Sequence, residues 1–176
     1  MFMTDDNKSK DTYEDVAMDT DKDIAKDMNV KEKREYVFDK IGIFLRNAGF
    51  KKRANNFYKR NGDLCYCINI QNDKWNNSDL MRFTLNFGIF TDEFYLKHYD
   101  FKNTRTIPSF PKEVECAIRK RIGQLLPDPC DKWWAIYNDT NILKILADVE
   151  NDITNYGFPF LEKYQSLSDN IPTSFF

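Results

Sequence analysis

The fold is decided mid-chain by two alternating runs, Leu64-Cys65-Tyr66-Cys67-Ile68-Asn69-Ile70-Gln71-Asn72 and Met81-Arg82-Phe83-Thr84-Leu85-Asn86-Phe87-Gly88-Ile89-Phe90. In both runs, large apolar residues recur at every second position, with mostly polar or small residues between them. Because successive side chains of a β-strand point to opposite faces, this pattern predicts two antiparallel strands with one apolar and one polar face. The apolar face is then the core side of a sheet.

The residues before these runs predict further strands and a covering helix. Residues 50–53 and 56–60 are short extended segments, and the turn Asn61-Gly62-Asp63 predicts a tight hairpin into the first run. In residues 30–48, apolar side chains recur at steps of three and four positions, which predicts an amphipathic helix that ends at Gly49. We expect this helix to cover the apolar face.

The segment after the second run is ambiguous. Residues 94–99 fit a helical turn, whereas residues 112–126 fit both a helix and a strand, because a short segment with β-branched residues leaves the period undecided. We favour a strand over residues 115–122. One face of that strand would carry Cys116, Ile118 and Ile122, and the opposite face Ala117, Arg119 and Arg121.

A second amphipathic helix is predicted near the C-terminus. It spans residues 141–156, begins at a cap formed by Asp139 or Thr140, and ends at Gly157 and Pro159. Shorter elements are predicted on either side of it, namely a last strand containing Trp133, Trp134 and Ile136 and a helix over residues 160–167.

Together these elements predict an α+β domain, with a mostly antiparallel β-sheet of about five strands and with N- and C-terminal helices packed on one face. Residues 30–176 form this single domain. Residues 1–29 precede it as an acidic, polar extension without a sustained apolar period, which we expect to be disordered or loosely helical. A chain of 176 residues holds one such domain and an appendage, but not two full domains.

The formal net charge of −2 combines three segments of unlike charge. Residues 1–29 carry nine acids and four lysines, residues 30–60 carry ten bases and three acids, and residues 61–176 carry twelve bases and sixteen acids. One interpretation is that the acidic extension folds back onto the basic segment, although salt screens charges that are exposed to water.

Several familiar functions are excluded. The six glycines lie at least seven positions apart, so neither GxGxxG nor the P-loop pattern GxxxxGK occurs, and with them the usual phosphate-cradling loops are absent. No apolar run reaches the length of a signal peptide or a membrane span, which favours a cytoplasmic protein. The four cysteines suit a reducing compartment and lack the spacing of a typical zinc site, so we predict no metal and no cofactor.

The polar face of the predicted sheet is the candidate ligand-binding site. Its amide, hydroxyl and guanidinium groups donate hydrogen bonds, which suits an anionic or amide-rich partner. The opposing interpretation is that antiparallel sheets commonly leave one polar face in water, where it serves solubility. The candidate residues are Asn69, Gln71, Arg82, Thr84, Asn86, Arg119 and Arg121.

Two further surfaces are candidates. Residues 51–60 offer cations for phosphate contacts with Phe57 and Tyr58 interleaved for base stacking, which makes nucleic-acid binding an alternative function. Their cations are Lys51, Lys52, Arg53, Lys59 and Arg60. Three tryptophans are candidate anchors for a protein partner, although packing in the core or at a sheet edge is their commoner use: Trp75, Trp133 and Trp134.

Catalysis has little support in the sequence. His98 is the single histidine and no nucleophile motif lies near it, so we predict no catalytic residues. Carboxylates are plentiful, including Asp128 and Asp131 near the tryptophans. A carboxylate- or metal-dependent enzyme is therefore the second alternative.

Eight short motifs follow one another along the chain: Gly49-Phe50-Lys51-Lys52, Asn56-Phe57-Tyr58-Lys59-Arg60-Asn61-Gly62-Asp63, Ile68-Asn69-Ile70-Gln71, Trp75-Asn76, Phe83-Thr84-Leu85-Asn86-Phe87-Gly88-Ile89, Cys116-Ala117-Ile118-Arg119-Lys120-Arg121-Ile122-Gly123, Asp131-Lys132-Trp133-Trp134 and Tyr156-Gly157-Phe158-Pro159-Phe160-Leu161. In this order, over about residues 30–167, they resemble a bacterial family, domain of unknown function 4304. The resemblance implies a single small α+β domain in a bacterial cell, and it supplies no catalytic residues.

We therefore predict a bacterial, cytoplasmic and non-enzymatic binding or interaction module. Its partner would be a protein, recognised through the polar sheet face. The prediction rests on the arginines of that face and on the lack of a catalytic motif.

Overall fold

The computed structural model of the protein describes residues 27–62 and 64–164, and it confirms an α+β fold. The first helix, α1 (Val30–Asn47), begins at a capping box. In it the Asn29 side chain accepts from the backbone N–H of Glu32 at 3.1 Å, and the Glu32 carboxylate accepts from the N–H of Asn29 at 2.8 Å. Gly49, with a φ of 88°, follows the last turn as predicted. Most of the predicted acidic extension, residues 1–26, and Asp63 of the predicted turn lie outside the described residues.

One antiparallel sheet contains six strands of the described chain, against the five or so that were predicted. They are β1 (Lys51–Arg53), β2 (Asn56–Asn61), β3 (Leu64–Asn72), β4 (Met81–Thr91), β5 (Ile118–Arg121) and β6 (Trp134–Ile136). The order is β1-β2-β3-β4-β5, and β6 pairs with β4. Because β3 occupies one side of β4, β5 and β6 share the other side, opposite residues 86–89 and 81–83 respectively.

The two alternating runs are the central pair of this sheet, as predicted. β3 and β4 pair over nine positions, and one face of both strands is buried in a single core. The fully buried side chains on that face include Ile68, Leu85 and Phe87. Burying an aliphatic or aromatic side chain of this size contributes about 1.5–3 kcal/mol, so this face dominates the stability of the domain.

Helices cover this apolar face. Phe38 of α1 meets Phe83 edge-on at 5.1 Å between ring centroids, and Phe83 stacks on Trp134 at 5.3 Å. The other helices of this layer are α3 (Ile142–Asp152) and α4 (Phe158–Lys163), which contribute Leu146 and Leu161 to the same core. The prediction that N- and C-terminal helices pack on one face is confirmed.

The cap of α3 differs from the prediction. Asn141, rather than Asp139 or Thr140, accepts hydrogen bonds from the backbone N–H groups of the second and third helical residues, at 3.1 and 3.2 Å. Thr140 is engaged elsewhere, because its hydroxyl accepts from the N–H of Tyr137 at 2.7 Å and closes the preceding turn. The helix therefore begins one residue later than a Thr140 cap would place it.

The predicted stop at Gly157 and Pro159 is wrong. A π-helical turn (Ile153–Gly157) joins α3 directly to α4, and Pro159 is the second residue of α4, near a helix start, where proline is tolerated. Gly157 is needed for space, since a Cβ there would lie 2.5 Å from the Phe87 ring. Residues 165–167 of the predicted last helix lie outside the described residues.

We call the opposite face of the sheet the second face. The chain segment that follows β4 covers about one half of this face. The covering segment begins with α2 (Asp92–His98), the predicted helical turn, and continues through Phe110, whose ring meets Tyr58 edge-on at 5.1 Å. Beneath it lies a small second cluster that contains Cys65 and Phe90. No segment among residues 27–62 and 64–164 covers the other half of the second face in this way.

The ambiguous segment is a strand, as favoured, but it is shorter than predicted. Only Ile118–Arg121 pairs with β4, and 3-10 turns over Glu113–Glu115 and Ile122–Gln124 flank it. Cys116 lies outside this strand and packs on the second face beside Gly88, not on the Ile118 side as predicted. The glycine permits this contact, because a Cβ at Gly88 would lie 2.6 Å from the Cys116 sulfur.

A buried lysine fixes where α1 begins relative to the sheet. Lys33, only 3% exposed, donates to the backbone carbonyls of Asn138 and, at 3.3 Å, of Thr140. Those residues follow β6, so the N-terminal end of α1 lies at the edge of the sheet formed by β5 and β6. Its C-terminal end leads directly into β1, at the opposite edge.

Replacing Gly157 by alanine should destabilise the domain although it removes a glycine from a helical segment. Alanine gains about 1 kcal/mol over glycine in a helix, whereas forcing a methyl group against Phe87 costs about 1–3 kcal/mol. We expect a net loss of about 1 kcal/mol in the free energy of unfolding, measured in urea. Thr154→Ala, an exposed change in the same π-helical turn, is the control. A Gly157→Ala protein that is as stable as Thr154→Ala would contradict the close contact.

Candidate functional site

A straight row of polar side chains crosses four strands on the uncovered half of the second face. Asn56 of β2 lies opposite Asn69 of β3, Asn69 lies opposite Asn86 of β4, and Asn86 lies opposite Arg121 of β5. Directly opposed residues of antiparallel strands have Cβ atoms about 4.5–5.5 Å apart, so neighbouring side chains of the row are in reach of each other. The row ends at the β5 edge.

Hydrogen bonds fix the amides of this row. Asn69 donates to the Asn56 side-chain carbonyl at 2.9 Å, and Asn86 donates to the side-chain carbonyl of Gln71 at 2.8 Å. Arg121 donates through Nε to the Asn86 carbonyl at 3.5 Å. Within residues 27–62 and 64–164, nothing accepts from the side-chain N–H groups of half-buried Gln71, so they are available to a ligand.

Arg121 is held in place from three sides. Besides Asn86, it forms an ion pair with Asp131, and its guanidinium carbon lies 5.1 Å from the centre of the Trp133 ring. Trp133 in turn donates through Nε1 to Asp131 at 3.0 Å. This hydrogen bond, and then the one from Arg121, hold the pKa of the Asp131 carboxyl below its usual value. The guanidinium is therefore oriented before any ligand arrives.

Arg119 is held by a buried acid. Its Nε and Nη2 atoms donate to the two carboxylate oxygens of Glu113 at 2.6 and 3.2 Å, although Glu113 is only 4% exposed. The hydrogen bond to Glu113 raises the pKa of Arg119 above its ordinary value. Such a forked pair gives the arginine a fixed direction, while about half of its side chain remains exposed.

A concavity of about 550 Å³ lies along β5, where the row ends. Volumes of roughly 300–1,000 Å³ are typical of ligand sites in proteins. Its walls come from three consecutive residues of β5, from the end of the row and from the loops on either side. The lining residues are Asn86, Glu113, Arg119, Lys120, Arg121, Gln124, Pro129, Cys130 and Asp131.

The structure brings together some of the predicted ligand-binding residues. Asn86, Arg119 and Arg121 line the concavity, and Asn69 and Gln71 adjoin it through the row. All five lie on the second face, as the alternation predicted.

Two predicted ligand-binding residues do not belong to this site. Thr84 is fully buried, because its hydroxyl donates to the Lys132 carbonyl at 2.8 Å in the gap between β5 and β6. Arg82 pairs with Asp73 at 3.2 Å, its guanidinium carbon lies 5.4 Å from the Trp133 ring centre, and it does not line the concavity. Alternation identifies the face of a strand but not which part of that face a loop covers.

The three tryptophans have different surroundings. Trp134 is buried in the core and donates to Asp148 at 2.7 Å, so its predicted role as a partner anchor is wrong. Trp133 is half-buried beside the site, between the polar row and Arg82. Trp75 is 74% exposed in the connection between β3 and β4, away from the concavity, and stays a predicted partner contact.

The rings and cations of the basic segment, residues 51–60, are not free in the way that the nucleic-acid hypothesis requires. Phe57 is fully buried and Tyr58 is 9% exposed, so neither ring is free to stack on a base. The cations lie over aromatic rings or beside acids of the domain itself, as the following contacts show: Lys52 with Asp39 at 3.5 Å, Arg60 with Asp92 at 2.8 Å, Arg53 over Phe110 and Lys59 over Phe50. Lys51 is exposed on β1.

The groups considered for catalysis lie apart from the concavity or are engaged by cations. His98 stacks on Phe94, and its Nδ1 lies 3.0 Å from the Phe94 carbonyl oxygen. Asp131 is paired with Arg121, whereas Asp128 is exposed in the loop. Across the part of the chain that the structure describes, no cluster of three or more His, Cys, Asp or Glu side chains is arranged to hold a metal ion.

Three of the four thiols are buried on the second face. Cys65, Cys67 and Cys116 are each at most 3% exposed, whereas Cys130 is exposed at the rim of the concavity. A hydrogen bond with Cys67, and then burial, raise the pKa of Cys65, and a hydrogen bond with Cys116 is the main cause that raises the pKa of Cys67. Cys65 and Cys67 therefore stay protonated and unreactive at neutral pH.

Several residues of the site escaped the sequence analysis. Asn56 was detectable, because the short turn at Gly62 pairs Asn61 with Leu64 and thereby places Asn56 opposite Asn69. The residues contributed by loops carry no periodic signal, and only the folded chain brings them together: Glu113, Gln124, Pro129 and Cys130.

The fold and the site define an α+β domain with one face of its sheet committed to the core and half of the other face polar and open. A family model, domain of unknown function (DUF4304), matches residues 41–163, so this chain belongs to that family. A search of curated proteins and a search of solved structures each gave no match. Among the described residues, no helix has both the length and the apolar character to cross a membrane.

Removing Arg119 should destabilise the domain by leaving the Glu113 carboxylate buried without its cation. We expect Arg119→Met to lower the free energy of unfolding by about 1–3 kcal/mol, and the added Glu113→Gln change to restore part of it. Lys120→Met, the neighbouring exposed base, should stay within about 0.5 kcal/mol of wild type. Equal stability of Arg119→Met and Lys120→Met would show that the forked pair contributes nothing.

Cys130 should be the one fast-reacting thiol of the native protein. We expect a chromogenic disulfide reagent to titrate a single thiol rapidly at neutral pH, and the other three only after unfolding in guanidinium. Cys130→Ser should abolish the rapid phase. A second rapid thiol in the native protein would mean that the cluster under the covering segment is open to solvent.

Proposed function

We propose that this protein is a binding module whose ligand site is the concavity along β5 together with the polar row that leads to it. The observation that carries the proposal is the convergence of this row on two oriented guanidinium groups at the wall of a concavity of about 550 Å³. Groups that are fixed before binding lose little conformational entropy when they bind, which is typical of recognition surfaces.

The chemistry of the site favours a protein partner. Arginine and amide N–H groups supply donors, while Glu113 and Asp131 supply acceptors beside them. A peptide chain with carboxylate or amide side chains offers the complementary set. Because both arginines already share their charge with an acid, the site suits mixed polar contacts better than a bare phosphate.

The alternative, that this face of the sheet is polar only for solubility, accounts less well for the burial of its polar side chains. Asn86 is 8% exposed and Glu113 is 4% exposed, so part of the polar network lies under cover rather than in water. Burying polar groups costs free energy unless each group is paired. A face that served only solubility would not require polar groups to be buried. The proposal includes a bacterial, cytoplasmic setting, and the four free thiols support its reducing compartment.

Affinity capture from native lysate tests the proposal. The immobilised full chain should retain a partner in stoichiometric amount, and Arg121→Ala or Gln71→Ala should reduce its recovery by about tenfold, which corresponds to about 1.4 kcal/mol for losing one charge-assisted or buried hydrogen bond. Lys31→Ala, an exposed charge change on α1, is the matched control.

Thermal unfolding and circular dichroism should first show that each variant is folded. Recovery of the same partners by wild type, Arg121→Ala and Gln71→Ala would refute the assignment of the site. Loss of a partner with Lys31→Ala instead would move the binding surface to the helical face.

A further inference from the structure

Strand β5 is an edge strand with backbone groups that face away from the sheet. Within the part of the chain that the structure describes, it pairs with β4 on one side only. The N–H of Arg121 donates to the side-chain carbonyl of Gln124 at 2.9 Å, and therefore points away from β4. In an antiparallel ladder, backbone groups alternate in direction, so the N–H and C=O of Arg119 point outward as well. Another extended chain could pair there.

The concavity runs along this edge. Three consecutive residues, Arg119, Lys120 and Arg121, line it, although side chains at successive strand positions point to opposite faces. The space therefore follows the edge of the strand rather than one face alone. All three residues are bases, and Lys120 is exposed with no acidic partner among the described residues.

From this geometry we infer that the β5 edge accepts an acidic, extended peptide, and that residues 1–26 of this chain are its occupant. Residues 1–26 contain eight acids and four lysines. Within them Asp19, Asp21 and Asp23 recur at steps of two. In an extended chain this spacing puts three carboxylates on one side, which matches Arg119 and Arg121 on one side of β5.

The attachment point of this segment lies at the correct edge of the sheet. The chain enters α1 beside the residues that follow β6, and β6 and β5 share one side of β4. The five-residue step along β4 from Met81, opposite Ile136, to Asn86, opposite Arg121, is about 17 Å. Eight residues, from Asp19 to Asp27, span up to about 26 Å when extended, which is enough to reach the site.

The other sheet edge is a poorer acceptor for the same segment. β1 also carries three consecutive bases, and like those of β5 they are partly engaged, because Lys52 is paired with Asp39 and Arg53 lies over Phe110, so distance distinguishes the two edges. β1 also follows the far end of α1, which is 18 residues and therefore about 27 Å long. The acidic segment is consequently predicted to prefer β5 to residues 51–53.

Residues 1–26 would then compete with the proposed protein partner for the concavity along β5. Covalent linkage keeps a tethered segment at an effective concentration of about 1 mM, so a contact with a Kd of about 1 mM is about half occupied. The inference rests on the proposed function only in using the same concavity. The two have separate tests, because partner capture and the position of the segment are measured independently.

Paramagnetic broadening in the full chain locates the segment. A nitroxide is attached to Ala17→Cys in a Cys130→Ser background, where the remaining thiols are buried. We expect the amide signals of residues 119–121 to lose nearly all of their intensity, because a contact with a Kd of about 1 mM exchanges fast and half occupancy of the close state suffices, while those of residues 51–53 keep most of theirs. Lys120→Glu, or the joint change of Asp19, Asp21 and Asp23 to asparagine, should abolish the difference.

Lys51→Glu is the matched control, because it makes the same charge change at an exposed position of the other edge and should leave the broadening at β5 intact. Raising the ionic strength from about 0.1 M to about 1 M shortens the Debye length from about 10 Å to about 3 Å and should weaken the broadening. The inference is overturned by broadening centred on residues 51–53, by uniform or absent broadening, or by broadening at β5 that survives Lys120→Glu or the triple Asp change.

Discussion

The pairing of β3 with β4 is the constraint on which the rest of the structure depends. The register that sets Ile68 opposite Phe87 also sets Asn69 opposite Asn86, so one ladder places apolar pairs on one face and amide pairs on the other. A slip of one residue would exchange the two faces and put the asparagines into the core. The helices α1, α3 and α4 find their binding surface only because this register holds, and the polar row is straight for the same reason.

The second face shows how a sheet can be partly closed without becoming a second core. Over the half with Cys65, Cys67 and Phe90, small side chains and the glycine at position 88 let the segment after β4 pack closely. Over the other half, hydrogen-bonded amides and paired arginines replace apolar contacts. The polar side chains that are buried there, Thr84, Asn86 and Glu113, each have a partner, which is why the network imposes a small cost on a fold whose net stability is only about 5–15 kcal/mol.

The sequence alone was sufficient to predict the strands and helices whose apolar residues have a clear period. The alternation of β3 and β4 and the stripe of α1 identified the fold class and the polar face, because both signals arise from burial on one side. It was insufficient where local chemistry competes with burial. Pro159 and Gly157 were interpreted as a stop, whereas the glycine makes room for Phe87 and the proline begins the next helix. Thr84 was assigned to the polar face because alternation does not reveal which loop lies above a strand, and the three-residue strand β6 was too short to show that Trp134 faces the core. Glu113 and Asp131 reach the site through loops, whose position depends on the whole fold.

The outermost strands, β1 and β5, each consist largely of consecutive bases, Lys51-Lys52-Arg53 and Arg119-Lys120-Arg121. Two copies of the protein that approached edge to edge would bring like charges together across unpaired backbone groups. Sheet edges protected in this way resist intermolecular strand pairing, which is the usual first step towards aggregation. The same cations thus oppose edge-to-edge pairing of two copies, to which a bare three- or four-residue edge would be open.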